Sequence, residues 1–327
     1  MKVFLTGYSG FLGSNIATRL LNDGMQVKAL CRGTNPQKHH EAIEFSQGDL
    51  SDTSKLATVL KNCDAVIHAA ALTKTWDPDH TQFMQVNYTG TKNLLKACEE
   101  TGVERFVYVS TAGVIGPTTH IPATESFQKS VNQDDAYVTS KKLAEKEVLK
   151  SGENGMNINI VYPSRMYGPG PLNHANSITK MISDFNKGKW FVKPPYGHVI
   201  GSYNHVEEVA NGVTNALNKG IRGEKYLLAG HNLSYDDFFE TLRSVTGKKH
   251  LLFSAPYSAL YLYGLLQEQY SKLDSTFTAP LNTNQVKRFR EHYAFDSTKA
   301  AREIGYKVVP FEQGLLRTME WLSKNNF

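Results

Sequence analysis

The amino-acid sequence predicts an α/β fold in which a doubly wound parallel sheet is followed by a smaller, mainly helical region. Short apolar runs typical of strands alternate with helix-type segments through about the first 165 residues. Alternation of this kind builds a parallel sheet with helices on both faces. The predicted strands lie near residues 2–6, 26–31, 43–46, 64–68, 105–110 and 157–161.

The pattern changes after Tyr167, where prolines at positions 169, 171, 194 and 195 interrupt regular structure. A helix over 207–218 and a strand over 225–228 are predicted beyond them. The 327 residues are long enough for a full sheet domain and a second, smaller one. We divide them into residues 1–166, to which 201–229 returns, and residues 167–327, built mainly from 167–200 and 231–305.

The first strand leads into a glycine-rich turn and a helix predicted over 11–21. The turn reads Thr6-Gly7-Tyr8-Ser9-Gly10-Phe11-Leu12-Gly13. Gly7 permits the turn, Gly10 lets the backbone approach a pyrophosphate, and Gly13 lets the helix pack on the strand. The helix N-terminus then offers N–H groups to the anion. A glycine-rich turn without a ligand is the alternative, and the Gly-x-x-Gly-x-x-Gly spacing differs from the commonest fingerprint, but the position in a first strand–helix unit favours a dinucleotide.

The second predicted strand is followed directly by Arg32, and no Asp or Glu stands at its tip. An acid there would bind a ribose 2′-hydroxyl, whereas an arginine suits a 2′-phosphate because its guanidinium presents several fixed donors. Arg32 therefore favours NADP(H) over NAD(H), with an ordinary solvated arginine as the alternative. Lys38, in the following loop, could assist.

Two further groups are candidates for chemistry. Ser110 and Thr111 end the fifth predicted strand, at the edge where open parallel sheets bind ligands, although either could simply cap the turn. Tyr137 and Lys141 are one helical turn apart, so their side chains share a face. An ammonium close to a phenol is expected to lower the pKa of Tyr137 and so to make it a better proton donor and acceptor near neutral pH. The alternative is a solvated helix face, since other charged residues follow on this helix.

In these motifs and their order the chain resembles the extended short-chain dehydrogenases/reductases, which include sugar-nucleotide epimerases, dihydroflavonol reductases and 3β-hydroxysteroid dehydrogenases. The resemblance covers nearly the whole length and implies a Rossmann fold with a triad of Thr111, Tyr137 and Lys141. It also implies cofactor contacts from the residues that match the family's motifs. These are Gly7, Tyr8, Ser9, Gly10, Phe11, Leu12 and Gly13 of the turn, Asp49 and Leu50, Ala69, Ala70 and Ala71 after His68, Asn87, Ser110, Tyr137, Lys141, and Pro163 and Ser164, which begin a segment running to Gly170.

Some of these residues have a plainer interpretation. Asp49 could cap a nearby helix, as could Ser51 or Asp52. His68 is expected in the core, because a single His without further ligands at metal-binding spacing forms no metal site. We predict no metal.

The resemblance implies an NADP(H)-dependent reductase of an aldehyde or ketone, or a dehydrogenase of the corresponding alcohol, with NAD(H) as the second choice of cofactor. Hydride would pass to the carbonyl carbon, Tyr137 would protonate the oxygen, Lys141 would tune Tyr137 and hold the ribose, and Thr111 would bind the oxygen. One alternative is a sugar-nucleotide epimerase or dehydratase with tightly bound NAD. Another is a cofactor-sensing protein without catalysis, since a fold alone does not establish activity.

Several stretches of the sequence bear on the choice of substrate. Residues 200–209 contain no arginine, whereas sugar-nucleotide enzymes usually carry one there that contacts the nucleotide; the basic segment 287–290 could replace it. The segments 230–234 and 293–300 look more like the dihydroflavonol-reductase and 3β-hydroxysteroid-dehydrogenase branch. Residues 251–273 are unusually apolar and aromatic, as in a buried helix, a substrate-pocket wall or a membrane-contacting surface. The pocket-wall interpretation implies a bulky apolar substrate.

Composition limits the partners. The net charge of +5 is mild and no basic run stands out, so no nucleic-acid partner is expected. The three scattered cysteines, Cys31, Cys63 and Cys98, suit a reduced intracellular protein, and the first strand starts too early for a signal peptide. No run of about 18 apolar residues occurs, so we expect a cytoplasmic protein without a membrane span.

The family often forms homodimers through the helix carrying Tyr137 and the helix near 89–100. Apolar residues on these two helices could supply that contact or could face the sheet instead. They are Leu94, Leu95, Ala97, Val138, Leu143, Ala144 and Val148.

Overall fold

The computed structural model describes residues 1–33, 41–74, 79–127, 135–274, 277 and 279–327, and of His174 only the backbone; Lys38 lies outside these residues. The strands in this part of the chain are β1 (Lys2–Thr6), β2 (Gln26–Cys31), β3 (Ile43–Gln47), β4 (Ala65–His68), β5 (Arg105–Val109), β6 (Asn157–Pro163), β7 (Arg165–Tyr167), β8 (Val192–Lys193), β9 (Ile200–His205), β10 (Lys225–Leu228), β11 (His231–Ser234) and β12 (Phe253–Ser254).

The helices are α1 (Phe11–Asn22), α2 (Thr53–Leu60), α3 (Thr81–Phe83), α4 (Gly90–Thr101), α5 (Ala136–Glu153), α6 (Ser177–Asn186), α7 (Val206–Lys219), α8 (Tyr235–Thr246), α9 (Tyr257–Leu273), α10 (Thr283–Arg288), α11 (Thr298–Ile304) and α12 (Phe311–Lys324). A π-helical segment, Met84–Thr89, joins α3 to α4, and a 3₁₀ turn, Ala112–Val114, follows β5.

Seven strands form one parallel sheet with the order β10-β6-β5-β4-β1-β2-β3. The order in the chain reverses between β1 and β4, which lie side by side with Thr6 opposite His68. In an open sheet of this kind, ligands bind beyond the carboxyl ends of the strands at such a reversal. The predicted doubly wound parallel sheet is confirmed.

Both faces of the sheet are covered, because successive residues of each strand point to opposite sides. On β1, Phe4 packs with the core on the side of α2, α4 and α5, while Val3 and Leu5 pack with the core on the side of α1, α7 and α11. All three side chains are fully buried. Strands covered on both faces are apolar almost throughout, which is why their sequences are easy to recognise.

The chain beyond Tyr167 builds a third core around two small sheets, ordered β11-β9-β7 and β12-β8. The aromatic residues Tyr167, Phe185, Tyr203, Phe238 and Phe311 pack there together with α6, α8 and α12. In the middle of this half the chain returns to the main sheet, where β10 pairs in parallel with β6 and α7 packs against α1. The C-terminal part is mainly helical, as the sequence predicts.

Most of the residues proposed for a dimer contact face the sheet of their own chain. Leu94, Leu95, Ala97, Val138, Ala144 and Val148 are buried in one core, and only Leu143 is partly exposed. Because apolar area already buried within the chain is not available to a partner, these side chains supply no dimer surface. Of the two alternatives for these residues, packing against the sheet is therefore the one observed.

Helix α9 contradicts one interpretation of the apolar stretch 251–273. Its buried residues are Gly264, Glu268 and Ser271. Glu268 accepts hydrogen bonds from the backbone N and Oγ1 of Thr283, at 2.7 and 2.8 Å, so the helix docks through a small and polar face. Its leucines at 262, 266 and 273 are 57%, 59% and 86% exposed. The buried-helix interpretation is therefore wrong. None of the described helices combines the length and apolarity needed to cross a bilayer.

Candidate active site

The glycine turn after β1 is packed backbone against backbone. Gly7 has φ +79°, and a Cβ there would lie 2.6 Å from the backbone N of Ala70. A Cβ on Gly13 would lie only 2.0 Å from the carbonyl oxygen of Gly7. Gly10, whose N donates to that carbonyl at 2.9 Å, is the N-cap of α1 and provides no side-chain acceptor. The turn thus brings the start of α1, with its unsatisfied N–H groups, to the carboxyl edge of the sheet.

The segment beside this turn, Ala69-Ala70-Ala71, is held by side chains beneath it. Ala70 N donates to Thr6 Oγ1 at 3.2 Å, and Thr6 Oγ1 lies 2.7 Å from Nδ1 of His68. His68 Nε2 lies 2.9 Å from Oγ1 of Thr91 on α4. Burial, assisted by the charge of Lys141, lowers the pKa of His68 to about 3. His68 is therefore neutral at physiological pH and links three elements as part of the core.

The predicted adenine and ribose contacts lie at the neighbouring strand ends. Arg32 is exposed directly beyond β2, the strand next to β1. Asp49 is exposed, and its Oδ1 accepts from Ser51 N at 2.9 Å. The N-cap of α2 is Asp52, whose Oδ1 accepts from Lys55 N at 3.0 Å, so Asp49 is not required for capping.

Leu50 and Asn87 are buried supports of this edge. Leu50 packs against Gly90, where a Cβ would lie 3.0 Å from the Leu50 Cβ. Oδ1 of Asn87 accepts from Leu72 N at 2.7 Å, and its Nδ2 donates to Oγ of Ser140 at 3.0 Å. Ser140 in turn donates to the carbonyl of Tyr137 at 2.8 Å. Asn87 therefore ties the chain after β4 to the helix that carries Tyr137.

Lys141 reaches from α5 to the end of β5. Its Nζ donates to the carbonyl oxygen of Val109 at 2.7 Å and lies 4.0 Å from the centre of the Tyr108 ring. The side chain is buried, and desolvation lowers the pKa of Lys141 to about 7, against an opposing effect of Glu145. The amine of Lys141 is thus only partly protonated near neutral pH.

Thr111 and Tyr137 are brought together by the end of β5 and the start of α5. Asp135 caps α5 by accepting from Val138 N at 3.0 Å. Burial, together with the charge of Asp135, raises the pKa of Tyr137 to about 12, while Arg288 and a hydrogen bond with Thr111 lower it. This is opposite to the direction expected from Lys141, because desolvation of the phenol dominates and the Lys141 ammonium is directed to Val109.

Ser110 and Thr111 differ in how their hydroxyls are used. Thr111 Oγ1 accepts from Gly113 N at 3.2 Å and so also caps the 3₁₀ turn, as the plainer interpretation expected. Ser110 Oγ is buried and has no hydrogen-bond partner among the described residues. Because a buried hydroxyl is normally paired, Ser110 Oγ is available to hydrogen-bond a ligand at this edge.

A cavity of about 190 Å³ lies beyond Thr111. It is lined by Thr111, Pro163, Ser164, Arg165, Arg288, Tyr293, Phe295 and three small residues, Ala112, Gly113 and Ser202. Ser164 Oγ bonds Ser202 at 3.1 Å (to O) and 3.0 Å (to Oγ). The structure thus brings the triad candidates, Pro163 and Ser164 to the carboxyl edge of the sheet that also carries the glycine turn.

Of the two arginines of the cavity, Arg165 was missed by sequence reasoning. The argument against a charged substrate depended on residues 200–209, which contain no arginine, yet Arg165 and Arg288 both line the cavity. Arg288 belongs to the segment named as a replacement. An arginine two residues after the buried strand β6 was a usable signal for Arg165. No residue of 251–273 is among the lining residues, so the pocket-wall interpretation of that stretch has no support here.

With this geometry in place, comparison with known sequences decides the family. Residues 3–229 match the NAD dependent epimerase/dehydratase family. The chain belongs to this family. The match spans the whole parallel sheet and the glycine turn.

Individual members of the family are similar to this chain over most of its length. A Synechocystis sp. protein provisionally named dihydroflavonol 4-reductase is 29% identical over 338 residues, covering 99% of this chain and 95% of that protein. The 4-hydroxy-2-methyl-3-oxo-4-farnesyl-3,4-dihydroquinoline-1-oxide ketoreductase of Stigmatella aurantiaca is 28% identical, covering 96% and 95%. The 3-beta-hydroxysteroid dehydrogenase of Mycolicibacterium neoaurum is 34% identical over 178 residues, covering 52% and 48%.

These similarities confirm the resemblance to the extended short-chain dehydrogenases/reductases and to the dihydroflavonol-reductase branch. The chain is an NAD(P)-dependent oxidoreductase. Its fold is shared by the UDP-glucose 4-epimerase of Thermotoga maritima, solved with UDP-glucose, with a TM-score of 0.80, 18% identity and full coverage of both chains.

The residues at the carboxyl edge fit a nicotinamide dinucleotide. The glycine turn offers backbone N–H groups without side chains that would obstruct a pyrophosphate. The unpartnered Ser110 Oγ lies between this turn and the cavity, at the end of the strand next to β4. The glycine turn could therefore bind the pyrophosphate of the family's cofactor, and Ser110 Oγ could donate or accept a hydrogen bond to it.

Proposed function

We propose that this enzyme is an NADP(H)-dependent reductase of aldehydes or ketones, working in the opposite direction on the corresponding alcohols. The proposal depends above all on the hydrogen bond between Thr111 and Tyr137, because Thr111 also lines the cavity. NADPH, when bound, supplies the hydride that the carbonyl carbon accepts.

The chain's own residues would then handle the oxygen and its proton. Tyr137 is fully protonated at neutral pH because of its raised pKa, so it is ready to donate a proton to the carbonyl oxygen as negative charge develops there. Thr111 would hydrogen-bond the same oxygen and hold it toward the phenol. One hydride at carbon and one proton at oxygen give the alcohol.

Lys141 would hold the ribose and support the phenolate left on Tyr137. Its place at Val109 O, one turn along α5 from Tyr137, keeps the ammonium at the strand end where a ribose would lie. A group with a pKa of about 7 can also exchange a proton with solvent near neutrality, which would restore the Tyr137 proton after each turnover.

The cofactor would be held by the residues of the glycine turn and its surroundings. Gly7 to Gly13 would bind the pyrophosphate, and Asp49 and Leu50 the adenine side. Ala69, Ala70, Ala71, Ser110, Pro163 and Ser164 would line the path to the nicotinamide. Arg32 is exposed beyond β2, and no acidic residue stands at the tip of that strand. It would pair with a 2′-phosphate, and we therefore favour NADP(H) over NAD(H).

The substrate would be largely apolar. Tyr293 and Phe295 line the cavity. Three relatives are named for the compounds on which they act. These are a dihydroflavonol, a farnesyl-bearing dihydroquinoline and a steroid, and all three contain rings and large apolar parts. Aromatic and aliphatic carbonyl compounds are therefore the first to test.

One variant tests the proposal directly. Purified wild-type enzyme should oxidise NADPH when aromatic aldehydes or ketones are added, and Tyr137→Phe should lose about a hundredfold to ten-thousandfold of that rate while binding NADPH normally. Tyr270→Phe, which alters an exposed tyrosine on α9, serves as the matched control. Normal turnover by Tyr137→Phe would refute the role of the phenol.

A sugar-nucleotide epimerase or dehydratase with tightly bound NAD is the second candidate, because two arginines line the cavity. Net consumption of NADPH separates the two, since an epimerase reoxidises its cofactor within each cycle. Interconversion of UDP-sugars without any consumption of added NADPH would favour the second candidate. A cofactor sensor would show neither activity, yet would bind the dinucleotide.

A further inference from the structure

Arg165 occupies an unusual position in the cavity wall. It lies on β7 directly opposite Tyr203 of β9. Its Nη1 donates to the hydroxyls of Tyr203 and Tyr235, at 3.2 and 3.4 Å, and Nη2 donates to Tyr235 at 3.4 Å. The guanidinium carbon also lies 5.6, 5.7 and 6.0 Å from the ring centres of Tyr203, Tyr235 and Tyr293. Three tyrosines therefore fix its orientation.

The charge of Arg165 has no counterion in the part of the chain that the structure describes. The neighbouring Arg288, by contrast, forms an ion pair with Asp135, with Nη2 and Oδ2 2.6 Å apart. The phenol oxygens of Tyr203 and Tyr235 accept hydrogen bonds from Arg165 and so position the cation, but neither side chain is a carboxylate. Arg165 is partly buried, and a guanidinium does not lose its proton in proteins, so the side chain keeps its positive charge at the cavity wall.

The backbone leaves room for this arrangement. A Cβ on Gly201 would lie 2.5 Å from Nη1 of Arg165 and 3.0 Å from the hydroxyl of Tyr203. Because Gly201 has no side chain, the guanidinium of Arg165 can pack directly against β9 beside the tyrosine rings. The N–H groups of Arg165 that are not bonded to Tyr203 or Tyr235 have no acceptor among the described residues, and Arg165 is part of the cavity lining.

We propose that Arg165 binds a carboxylate of the substrate, so that the enzyme reduces carbonyl compounds that carry both an apolar ring or chain and a carboxylate. This rests on the proposed reductase function, because the carbonyl must lie at Thr111 in the same cavity. A planar guanidinium with free N–H groups matches the two oxygens of a carboxylate.

A carboxylate fits better than a diphosphate. Among the described residues that line the cavity, Arg165 is the one cation without a counterion, since Arg288 pairs with Asp135, and one positive charge matches one carboxylate. The cavity volume of about 190 Å³ suits a small aromatic acid and not a nucleotide sugar. The aromatic side chains of Tyr293 and Phe295 would cover the apolar part of such an acid.

Matched pairs of substrates test this inference. The 2-, 3- and 4-formylbenzoates each have a neutral counterpart in their methyl esters, and the positional series covers the distance between aldehyde and carboxylate. We expect wild-type enzyme to use at least one of the acids with a kcat/KM about tenfold to a hundredfold above that of its ester. Arg165→Met should abolish this preference by lowering kcat/KM for the acid to about that for its ester. Arg290→Met, which removes an exposed guanidinium stacked 3.4 Å from the Tyr257 ring centre outside the cavity, should keep the preference.

A binding measurement separates this inference from the proposed function. Benzoate, which has no carbonyl to reduce, should bind the NADP⁺-loaded wild-type enzyme in calorimetry, whereas benzamide should not. Arg165→Met, and Gly201→Ala through displacement of the guanidinium, should weaken benzoate binding by about tenfold or more. Arg165-dependent benzoate binding without any carbonyl reduction would keep the carboxylate site and reject the reductase.

Three results would overturn the carboxylate site. One is a wild-type enzyme without preference for any acid over its ester, an outcome that does not depend on whether a variant folds. Another is an acid preference that persists in Arg165→Met. The third is a wild-type enzyme that binds UDP through Arg165 but does not bind benzoate, which would assign the arginine to a diphosphate.

Discussion

Asp135 and Arg288 form an ion pair, with 2.6 Å between Oδ2 and Nη2, that joins the helix carrying Tyr137 to the wall of the cavity. The other carboxylate oxygen of Asp135 caps the same helix at Val138 N. The two partners act on the Tyr137 phenol with opposite sign, since Asp135 raises its pKa and Arg288 lowers it. One ion pair therefore sets both the position of the proton donor and part of its acidity.

Asp135→Asn and Arg288→Met should shift the pH dependence of alcohol oxidation in opposite directions. Oxidation needs the deprotonated phenol, so its rate rises with pH toward the pKa of Tyr137. Asp135→Asn removes a negative charge, lowers that pKa and should make oxidation about threefold to tenfold faster at a fixed pH below it. Asn remains a good N-cap, so α5 keeps its start. Arg288→Met should slow oxidation at the same pH. Rates measured between about pH 7 and pH 10 check both, and shifts in the same direction would contradict the assignment.

Arg32→Gln should change the choice of cofactor. Loss of a guanidinium that pairs with a 2′-phosphate weakens NADPH binding by about tenfold or more and leaves NADH binding unchanged. Fluorescence titration of each nucleotide measures the two dissociation constants. Arg302→Gln, an exposed arginine of α11 paired with Glu303, is the control and should alter neither. A wild-type enzyme that prefers NADH would refute the role of Arg32.

Lys141→Met should stabilise the cofactor-free enzyme most at low pH while abolishing turnover. The pKa of Lys141 falls from 10.5 to about 7 on folding, so between these values the unfolded chain binds more protons and stability rises with pH. Below about pH 7 the full penalty of the buried ammonium is present. The melting temperature of Lys141→Met minus that of wild type should therefore be largest near pH 6 and shrink toward pH 10.

The neighbouring Lys142→Met is the control for this stability difference, because Lys142 is exposed. Its melting temperature should follow that of wild type at each pH. A Lys141→Met gain that is independent of pH would contradict the buried ammonium as its source.

Gly13→Ala should unfold the glycine turn. Its Cβ would lie 2.0 Å from the oxygen and 2.6 Å from the carbon of Gly7, and backbone atoms cannot yield as a flexible side chain can. We expect a loss of about 1–3 kcal/mol or more in the free energy of unfolding, measured by denaturant titration, together with weaker dinucleotide binding. Gly33→Ala has no described neighbour within 4 Å and should leave stability unchanged. Equal stability of the two variants would show that the turn can relax.

The sheet could be predicted from the sequence because its physical cause is local. Strands covered on both faces are apolar throughout, and β1, β2, β5 and β10 lie within a residue or two of the predicted ranges. The glycine turn was recognisable for a similar reason, since close packing of backbones excludes every larger residue. These features depend on neighbours in the sequence.

The remaining features depend on residues that meet only after folding. The tyrosines around Arg165 are residues 203, 235 and 293, which are far apart in the sequence. Their contact with Arg165 could therefore not be predicted from any sequence spacing. The pKa of Tyr137 was expected to fall because its spacing from Lys141 is visible, whereas the burial that raises it is not. The apolar composition of α9 suggests a buried helix, but it does not show which face of the helix packs against the protein.

The return of the chain to the main sheet has a consequence for how this enzyme changes its substrate in evolution. β10 closes one edge of the sheet beside β6, and α7 covers the face shared with α1, so the part of the chain beyond Tyr167 completes the sheet formed by the first part. Such a part cannot be exchanged as an independent module without opening the sheet. We therefore expect substrate preference to change by substitution in place, for example on β7 and β9, which carry the cavity residues Arg165 and Ser202.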